Sequence, residues 1–244
     1  MPHQVLDVPE HWRPLLEQGA WFAHVSPSLR EALLASARVR QLGAGESLFL
    51  RGDPPCGLYA VLDGAVRISG VGGASDGARE VLLTLLEPPH WFGEVALFDG
   101  QARTHDAHAG PATRLLHVPH AALLAALSAQ PGHWRELGLL MAQKLRLVFV
   151  ELEEAATLPV AQRLARRLML MAGGYGLRRE GAPGMHRRSM AVSQEQLARM
   201  LSVTRQTINQ NLKELESRGV LRLTRGGLEI LDLPGLRALA TLAD

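Results

Sequence analysis

The sequence predicts an α+β fold in three successive parts: a body of short β-strands, one long helix, and a helix-turn-helix with a two-stranded wing. Three observations carry this prediction. Glycine-centred turns separate short apolar runs between residues 36 and 117, which is typical of a β-sandwich or a closed barrel. Helical spacing follows from residue 132 to 156, with Gly138 as its one internal glycine. Two short helices separated by three residues come after residue 193.

Two short amphipathic helices are expected ahead of the strands, at residues 9–19 and 26–37. Ser26 and Pro27 mark the start of the second helix, because a serine hydroxyl caps free N–H groups and proline suits the first helical position. Among the strands, the clearest hairpin is predicted where Asp63-Gly64 separates two apolar runs.

The long helix carries a regular apolar seam. Its members recur at intervals of four, three, four and three residues, and they are Met141, Leu145, Val148, Leu152 and Ala155. This spacing is that of a coiled coil, so we expect two copies of the helix to associate. The alternative is a helix that packs on its own domain.

A break and a loop are expected after the long helix. Pro159 ends it, and a new helix is predicted at residues 160–172. The segment 173–186 is polar and rich in glycine, so we expect an exposed loop there.

The helix-turn-helix is predicted at residues 194–201 and 205–217. Ser193 and Gln196 have the spacing of a capping box at the first helix, and Thr204 can cap the second. Two further short strands around a glycine turn, at residues 220–224 and 228–231, would form the wing.

The composition limits the class of protein. The 244 residues are 47% apolar, which suffices for packed cores. The apolar runs are far shorter than the roughly 18 residues that span a bilayer, and the first residues show no secretory signal, so we expect a cytoplasmic protein with no membrane partner. The single cysteine, Cys56, excludes an internal disulfide and a metal site with cysteine ligands alone. No nucleophile–base pair or metal-ligand spacing is visible, which argues against an enzyme and a metal site.

The charge is segregated along the chain. Residues 1–155 hold 12 basic and 17 acidic side chains, whereas residues 156–244 hold 14 basic and 7 acidic ones. Only Lys144 and Lys213 among the 26 basic residues are lysines. Arginine suits bidentate contacts to phosphate and guanine. The basic C-terminal part therefore indicates a nucleic-acid partner, with a solvated basic surface as the alternative.

The segment from Phe92 to Thr104 carries the most chemical information. Gly93 stands beside Glu94, and nine residues later Arg103 stands beside Thr104. Arg103 and Thr104 can donate to phosphate oxygens, and Glu94 can accept from a ribose hydroxyl, so this set suits a sugar phosphate. An internal Glu94–Arg103 ion pair that holds the turn is the alternative.

These motifs together resemble the cyclic-AMP receptor protein and fumarate–nitrate regulator (Crp/Fnr) family of bacterial transcription factors. The resemblance covers about residues 21–231 and rests on the segment 92–104, the turn 51–53, the hairpin 57–68, the long helix and the helix-turn-helix. It implies a β jelly roll that binds a cyclic nucleotide, a long dimerisation helix and a winged helix-turn-helix that reads DNA. We therefore expect domains at residues 1–130, 131–158 and 159–244.

The resemblance also implies the effector site. Gly93 and Glu94 would contact the ribose, and Arg103 and Thr104 would contact the cyclic phosphate. The expected effector-binding residues are Gly93, Glu94, Val95, Ala96, Arg103, Thr104, Val148 and Phe149.

Val148 and Phe149 stand where members that respond to cyclic AMP have hydroxyl residues facing adenine. Neither can donate that hydrogen bond; Phe149 could stack on a base, or the pair could close the pocket. Cyclic AMP is the first candidate, and cyclic GMP, cyclic di-GMP or no nucleotide stay open.

Other sensing chemistries of the family can be compared with the residues. Cys56 alone cannot hold an iron–sulfur cluster. Haem stays open because the chain has ten histidines. Four of them, His105, His108, His117 and His120, lie close in sequence without an obvious shared face, and we expect them to be surface or structural residues.

The DNA-reading residues follow from the second helix of the helix-turn-helix, which would enter the major groove. Arg205 is the expected guanine reader through a bidentate contact. The full set of expected DNA-binding residues is Ser193, Gln194, Thr204, Arg205, Gln206, Thr207, Asn209, Gln210 and Arg225. Thr204 is equally a simple helix cap. Other arginines, at positions 163, 166, 167 and 222, are either phosphate contacts or a solvated face. We expect a palindromic double-stranded operator, a homodimer and RNA polymerase as partners.

Overall fold

The computed structural model describes residues 10–72, 79–179 and 188–241, and every structural statement below refers to these residues. The N-terminal helices are α1 (Arg13–Leu16), α2 (Ala20–His24) and α3 (Pro27–Ser36). The strands of the body are β1 (Arg38–Leu42), β2 (Ser47–Phe49), β3 (Gly57–Asp63), β4 (Val66–Gly72), β5 (Arg79–Leu86), β6 (Trp91–Phe92), β7 (Asp106–Ala109) and β8 (Thr113–Pro119). Helix α4 (Val95–Asp99) lies between β6 and β7.

Helices α5 (His120–Ala129) and α6 (Gly132–Thr157) follow the strands. The C-terminal module then consists of α7 (Val160–Ala172), β9 (Ser189–Met190), α8 (Gln194–Leu201), α9 (Arg205–Ser217), β10 (Leu221–Thr224), β11 (Gly227–Ile230) and α10 (Leu233–Thr241). This order confirms the predicted α+β fold of strand-rich body, long helix and winged helix-turn-helix.

The body strands form two antiparallel sheets of four strands, in the orders β1-β8-β3-β6 and β2-β7-β4-β5. Strand β3 is buried on both faces. Leu58 and Ala60 face the helices, while Tyr59 and Val61 face the space between the sheets. Since successive side chains of a strand point to opposite faces, this strand is apolar throughout instead of alternating. The two packed sheets are the jelly roll.

The N-terminal helices close one face of the jelly roll with aromatic side chains. Phe22 stacks on Trp91 with ring centroids 5.1 Å apart. The indole N–H of Trp21 donates to the carbonyl of Glu136 at 2.7 Å, and the Ser26 hydroxyl donates to the Glu136 carboxylate at 2.9 Å. These bonds attach the beginning of α6 to the body.

Helix α7 folds back against α6 after an extended residue, Leu158. Two ion pairs join the helices: Glu151 with Arg167 at 2.9 Å and Glu154 with Arg166 at 2.9 Å. Nearby, the Arg163 guanidinium donates to the carbonyl of Leu201 at 2.6 Å. Internal acceptors therefore hold Arg163, Arg166 and Arg167, and phosphate contacts by these residues stay a prediction.

The predicted capping of the helix-turn-helix is confirmed. The Ser193 hydroxyl accepts from the backbone N–H of Gln196 at 3.1 Å, and the Gln196 side chain accepts from the N–H of Ser193 at 2.8 Å. The Thr204 hydroxyl accepts from the N–H of Thr207 at 3.1 Å. These local bonds satisfy N–H groups that have no partner within the helices, so each helix begins where its cap stands.

The C-terminal module packs on the jelly roll of the same chain. Leu82 and Leu85 of β5 belong to the hydrophobic core of the module, and Glu80 pairs with Arg199 of α8. Backbone bonds tie the loop after α7 to the N-terminal helices: the N–H of Ala20 donates to Leu177 and the N–H of Arg179 donates to Gln18, both at 2.7 Å.

The expectation of an exposed loop at 173–186 is met at residues 176 and 179 and is wrong at Tyr175. Tyr175 is only 7% exposed, and the backbone of the following residues pairs with the N-terminal helices. The glycines that suggested an exposed loop here form a turn against the body. Residues 180–186 of that prediction lie outside the described residues.

His90, between β5 and β6, is buried at this junction. Its ring meets the ring of Tyr175 edge-on, with centroids 6.0 Å apart. Burial lowers the pKa of His90 to about 3, and the positive charges of Lys144 and Arg178 act in the same direction. The unfolded chain therefore binds a proton below pH 6.5 that the folded chain does not bind.

We expect the free energy of unfolding to fall by about 2 kcal/mol between pH 7 and pH 5 because of His90 alone. Denaturant unfolding at several pH values measures this slope, and His90→Asn should flatten it by that amount. The exposed His24, changed to Asn, is the control. An unchanged slope in His90→Asn would show that His90 takes up a proton in the folded protein.

Candidate functional site

Two glycines shape the wall on which Arg103 lies. Gly93 has a φ of +98° and Gly57 a φ of +125°, conformations that favour glycine. A Cβ at Gly93 would stand 2.8 Å from the carbonyl oxygen of Gly57, and one at Gly57 would stand 2.1 Å from that of Val118. Glycine at both positions lets their carbonyl groups approach the Arg103 side chain.

The Arg103 guanidinium is held by the body of the jelly roll. It donates to the carbonyls of Gly93 at 2.9 Å and Gly57 at 2.7 Å, and to the sulfur of Cys56 at 3.0 Å. It also lies over the ring of Phe49, 4.3 Å from the centroid. Among the described residues, the buried Nε of Arg103 has no hydrogen-bond partner. The guanidinium has five N–H donors and makes these three bonds, so it keeps donors for an anion that reaches them.

Glu94 does not pair with Arg103, so the alternative of an internal Glu94–Arg103 ion pair is wrong. The carboxylate of Glu94 is buried, and Lys144 of α6 lies 2.8 Å from it. Sequence reasoning missed Lys144. The available signal was that it is one of only two lysines in the chain and stands on the helix expected to face the pocket.

A cavity of about 700 Å³ lies between the jelly roll, α6 and the loop after α7. Seven of the eight expected effector-binding residues line it: Gly93, Glu94, Val95, Ala96, Arg103, Thr104 and Val148. Phe149 does not line it within one chain and is 60% exposed. The cavity also has lining residues that the sequence did not indicate, namely His90, Lys144, Glu151, Tyr175 and Leu177.

The cavity is lined by both polar and apolar side chains. Glu94, Arg103, Lys144 and Thr104 bring charge and a hydroxyl, whereas leucines of β5 and α6 bring apolar surface. His105 lies 2.9 Å from the Thr104 hydroxyl, and burial lowers its pKa, helped by the charge of Arg51. Such a cavity can take a small anion with an apolar or aromatic body.

His117 is a structural residue behind Arg103, as expected. It donates to the carbonyl of Cys56 at 2.8 Å and stacks on Tyr59 with centroids 4.5 Å apart. Burial lowers its pKa. The Tyr59 hydroxyl donates to the Cys56 sulfur at 3.1 Å, so these three residues support the Arg103 site from the core side.

The outer face of the helix-turn-helix is open to solvent. Arg205, Gln206 and Gln210 are exposed on α9, and Ile208 on its inner face is fully buried. The side chain of Gln194 donates to Asn209 at 3.3 Å, which links the two helices. Arg225 is exposed at the turn of the wing, while Arg222 pairs with Glu229. The jelly roll contacts α8 and leaves the expected reading face uncovered.

One face of α6 is apolar and exposed. Leu145, Val148, Phe149 and Leu152 share this face, whereas the exposed Leu139 and Val150 lie on the opposite side of the helix. Leu145 is 49% and Leu152 66% exposed. Within one chain, the predicted seam is thus not covered by its own domain.

Membrane-spanning helices are absent from the described part of the chain, since none of its helices is long and apolar enough to cross a membrane. Two protein-family descriptions match the sequence: a cyclic nucleotide-binding domain over residues 39–130, and a Crp-like helix-turn-helix domain over residues 162–239.

Similar curated proteins cover nearly the whole chain. The CRP-like cAMP-activated global transcriptional regulator of Mycobacterium tuberculosis is 28% identical over 218 residues, covering 89% of this chain and 95% of that protein. The cyclic AMP receptor protein of Thermus thermophilus is also 28% identical over 219 residues, covering 90% of this chain and 95% of that protein.

Solved structures agree with these relatives. A Crp/Fnr-family transcriptional regulator from Thermus thermophilus matches with a TM-score of 0.63 and 28% identity, over 83% of this chain and 97% of that one. FixK2 from Bradyrhizobium japonicum shares the fold with a TM-score of 0.70 at 22% identity, over 85% of this chain and 99% of that one. With a cyclic nucleotide-binding domain, a long helix and a Crp-like helix-turn-helix in this order, the chain belongs to the Crp/Fnr family of transcription regulators.

Proposed function

We propose that this chain is a cytoplasmic, homodimeric regulator that binds a palindromic DNA operator under the control of a cyclic nucleotide. Cyclic AMP is the first candidate effector, because the relatives that cover most of the chain are described as cAMP-activated or as a cyclic AMP receptor. The supporting observation is that Glu94, Arg103 and Thr104 line one cavity. Among the described residues, the Nε of Arg103 has no hydrogen-bond partner.

The proposed pose follows from these donors and acceptors. The cyclic phosphate accepts from Arg103 Nε and from the Thr104 hydroxyl, and the ribose hydroxyl donates to Glu94. Gly93, Val95 and Ala96 form the wall beside the sugar. Lys144 now neutralises Glu94. A ribose hydroxyl at Glu94 would compete with Lys144 and leave its ammonium group to pair with the phosphate.

The base of the nucleotide would lie on the apolar surface of the cavity, beside Val148. Val148 supplies no hydroxyl for a base edge, so this position gives contact area without discriminating between adenine and guanine. Phe149, exposed on α6, could reach a pocket only as a residue of the partner subunit. Cyclic GMP and cyclic di-GMP are therefore the alternatives for the same site.

Homodimerisation through α6 would cover the exposed seam. The helix has 26 residues, about 39 Å of length, which is long enough to extend past the jelly roll. Leu145, Val148 and Leu152 are about half-exposed or more in one chain. Association of two such faces would remove them from water, and the 131–158 segment would then act as the dimerisation part.

DNA reading is assigned to the exposed face of α9. Arg205 and Gln206 in the first turn and Gln210 one turn later face solvent, and Thr204 and Thr207 lie at the helix start. In a dimer the two helices would occupy half-sites about 34 Å apart. Arg225 of the wing, Ser193 and Gln194 would contact the phosphate backbone. RNA polymerase is the expected further partner of the DNA-bound dimer.

The second candidate is a regulator of the same fold that acts without a nucleotide. It is favoured by the fact that Glu94 and Arg103 already have internal partners, Lys144 for the first and carbonyl groups for the second. Titration with nucleotide distinguishes the two candidates.

We expect saturable calorimetric binding of at least one of cyclic AMP, cyclic GMP and cyclic di-GMP. Glu94→Gln, which keeps the size of the side chain, should weaken it by roughly tenfold or more, since a hydrogen bond to a charged group is worth about 1.5–3 kcal/mol. Arg103→Lys should do the same. The exposed Arg114, changed to Ala, is the control. If none of the three nucleotides binds the wild-type protein, the cyclic-nucleotide proposal is wrong.

For DNA reading, we expect Arg205→Ala to weaken binding to the preferred operator by about 1–3 kcal/mol and to relax the preference at one guanine. Selection from a random duplex pool followed by binding assays on single-base variants measures both. Arg218→Ala, at the other end of α9, should leave the preference intact. Equal weakening on every sequence would make Arg205 a phosphate contact.

For the seam, we expect Leu145→Glu combined with Leu152→Glu to give monomers in light scattering, because four charges would face one another in the dimer. Leu50→Glu combined with Leu231→Glu changes two leucines elsewhere that are each 44% exposed, and should leave the dimer intact. A dimer that survives the seam variant would contradict association through α6.

A further inference from the structure

The cavity extends beyond the cyclic nucleotide-binding domain into the DNA-binding module. It is lined by Glu94 and Arg103 of the jelly roll and also by Tyr175 and Leu177. Both of these residues follow α7 and belong to the module that carries the helix-turn-helix. One cavity wall is therefore formed by the element that effector binding has to control.

Tyr175 reaches the cavity through an unusual backbone. Its φ is +57°, and Gly174 and Gly176 on either side have φ values of +60° and +67°. A tyrosine is disfavoured in this left-handed region, so its own contacts must hold it there. The ring packs against His90 and is buried. The turn places a large side chain of the module between the module and the jelly roll.

The Tyr175 hydroxyl is a buried polar group with an unused hydrogen-bonding capacity. It lies near Thr84 and Arg167, yet among the described residues it makes no hydrogen bond of good geometry. The Arg167 guanidinium is itself paired with Glu151, another residue of the cavity wall. A buried hydroxyl without a partner is unfavourable, and a ligand group at this part of the cavity would satisfy it.

We propose that Tyr175 is an effector-binding residue, and that it contacts the base edge of a cyclic purine nucleotide whose phosphate lies at Arg103. This assignment rests on the proposed nucleotide function of the cavity. A tyrosine hydroxyl can donate to a ring nitrogen or carbonyl of a purine and accept from its exocyclic amino group. It supplies the polar recognition that Val148 cannot.

The position of Tyr175 gives effector and DNA-binding module a direct energetic link within one subunit. A nucleotide can gain the Tyr175 contact only while residues 173–179 pack against the jelly roll. The bound nucleotide therefore favours the docked arrangement by the difference in affinity that this contact provides. The backbone bonds between residues 18–20 and 177–179 belong to the same arrangement.

The chain has two tyrosines, Tyr59 and Tyr175, so a tyrosine label reports on this residue with little overlap. We would incorporate 3-fluorotyrosine into the full chain, assign the two fluorine resonances with Tyr175→Phe, and titrate cyclic AMP, cyclic GMP and cyclic di-GMP. The expected result is that the Tyr175 resonance shifts with the same midpoint as calorimetric binding.

Two further measurements complete the test: the affinity for nucleotide, and the effect of bound nucleotide on DNA affinity. Tyr175→Phe keeps the packed ring, and we expect it to weaken nucleotide binding by about tenfold and to reduce the effect of nucleotide on DNA affinity. Ser36→Ala removes a hydroxyl of α3 that donates to the carbonyl of Ala32 and does not line the cavity, and it should leave both within threefold.

Two outcomes contradict the assignment in different ways. If a nucleotide binds the wild-type protein, but the Tyr175 resonance does not move and Tyr175→Phe binds equally well, then Tyr175 is not an effector residue while the proposed function stands. If no nucleotide binds the wild-type protein at all, the proposed function fails and the assignment fails with it.

Discussion

The guanidinium of Arg103 is the group on which this wall of the cavity depends. A buried positive charge needs acceptors around it, and here the carbonyls of Gly57 and Gly93 supply them. These carbonyls come from β3 and from the segment after β6, so one side chain fixes the distance between two parts of the jelly roll. Both glycines are required, because a Cβ at either would collide with a neighbouring carbonyl.

The backbone of Arg103 also exchanges hydrogen bonds with the turn at Gly52 and Asp53. The position of the guanidinium is thus fixed by the protein itself, and among the described contacts its Nε–H and the second N–H of Nη1 have no acceptor.

The arrangement of charge around this group connects sensing with the rest of the molecule. Glu94 is neutralised by Lys144 of α6, and Glu151, about two turns further along α6, is neutralised by Arg167 of α7. Both carboxylates line the cavity. A ligand that changes the partner of Glu94 therefore acts on α6, and one that reaches Glu151 or Tyr175 acts on the C-terminal module. The acidic and basic parts of the sequence meet at the Glu151–Arg167 pair, so the segregated charge also contributes to contacts inside the molecule.

Much of the fold could be predicted from the sequence because its strongest signals are local. The capping residues Ser193 and Thr204 and the turn-forming glycines act within a few residues of where they stand, and the predicted helices 194–201 and 205–217 match α8 and α9. The segment 92–104 is predictable for the same reason, because its residues are close in sequence.

Contacts between distant residues were not predictable. Lys144 meets Glu94 across 50 positions, and Tyr175 meets His90 across a domain boundary. The glycines around Tyr175 look like those of an exposed loop, since the sequence does not show that they permit a left-handed turn against another domain. For the same reason, Arg163, Arg166 and Arg167 resemble a basic surface although each has an internal acceptor.

The central claim is that one pocket links effector binding to DNA binding. Thermodynamic linkage gives its most direct test, because an effector that changes DNA affinity by some factor must bind the DNA complex more tightly or more weakly by the same factor. The nucleotide affinity of the free dimer and of the dimer bound to its selected duplex can be measured by calorimetry under one salt condition. The account predicts that the two affinities differ by about fivefold or more, and that the DNA affinity changes by the matching factor when nucleotide is saturating. Equal nucleotide affinities in the free and the DNA-bound protein would contradict it.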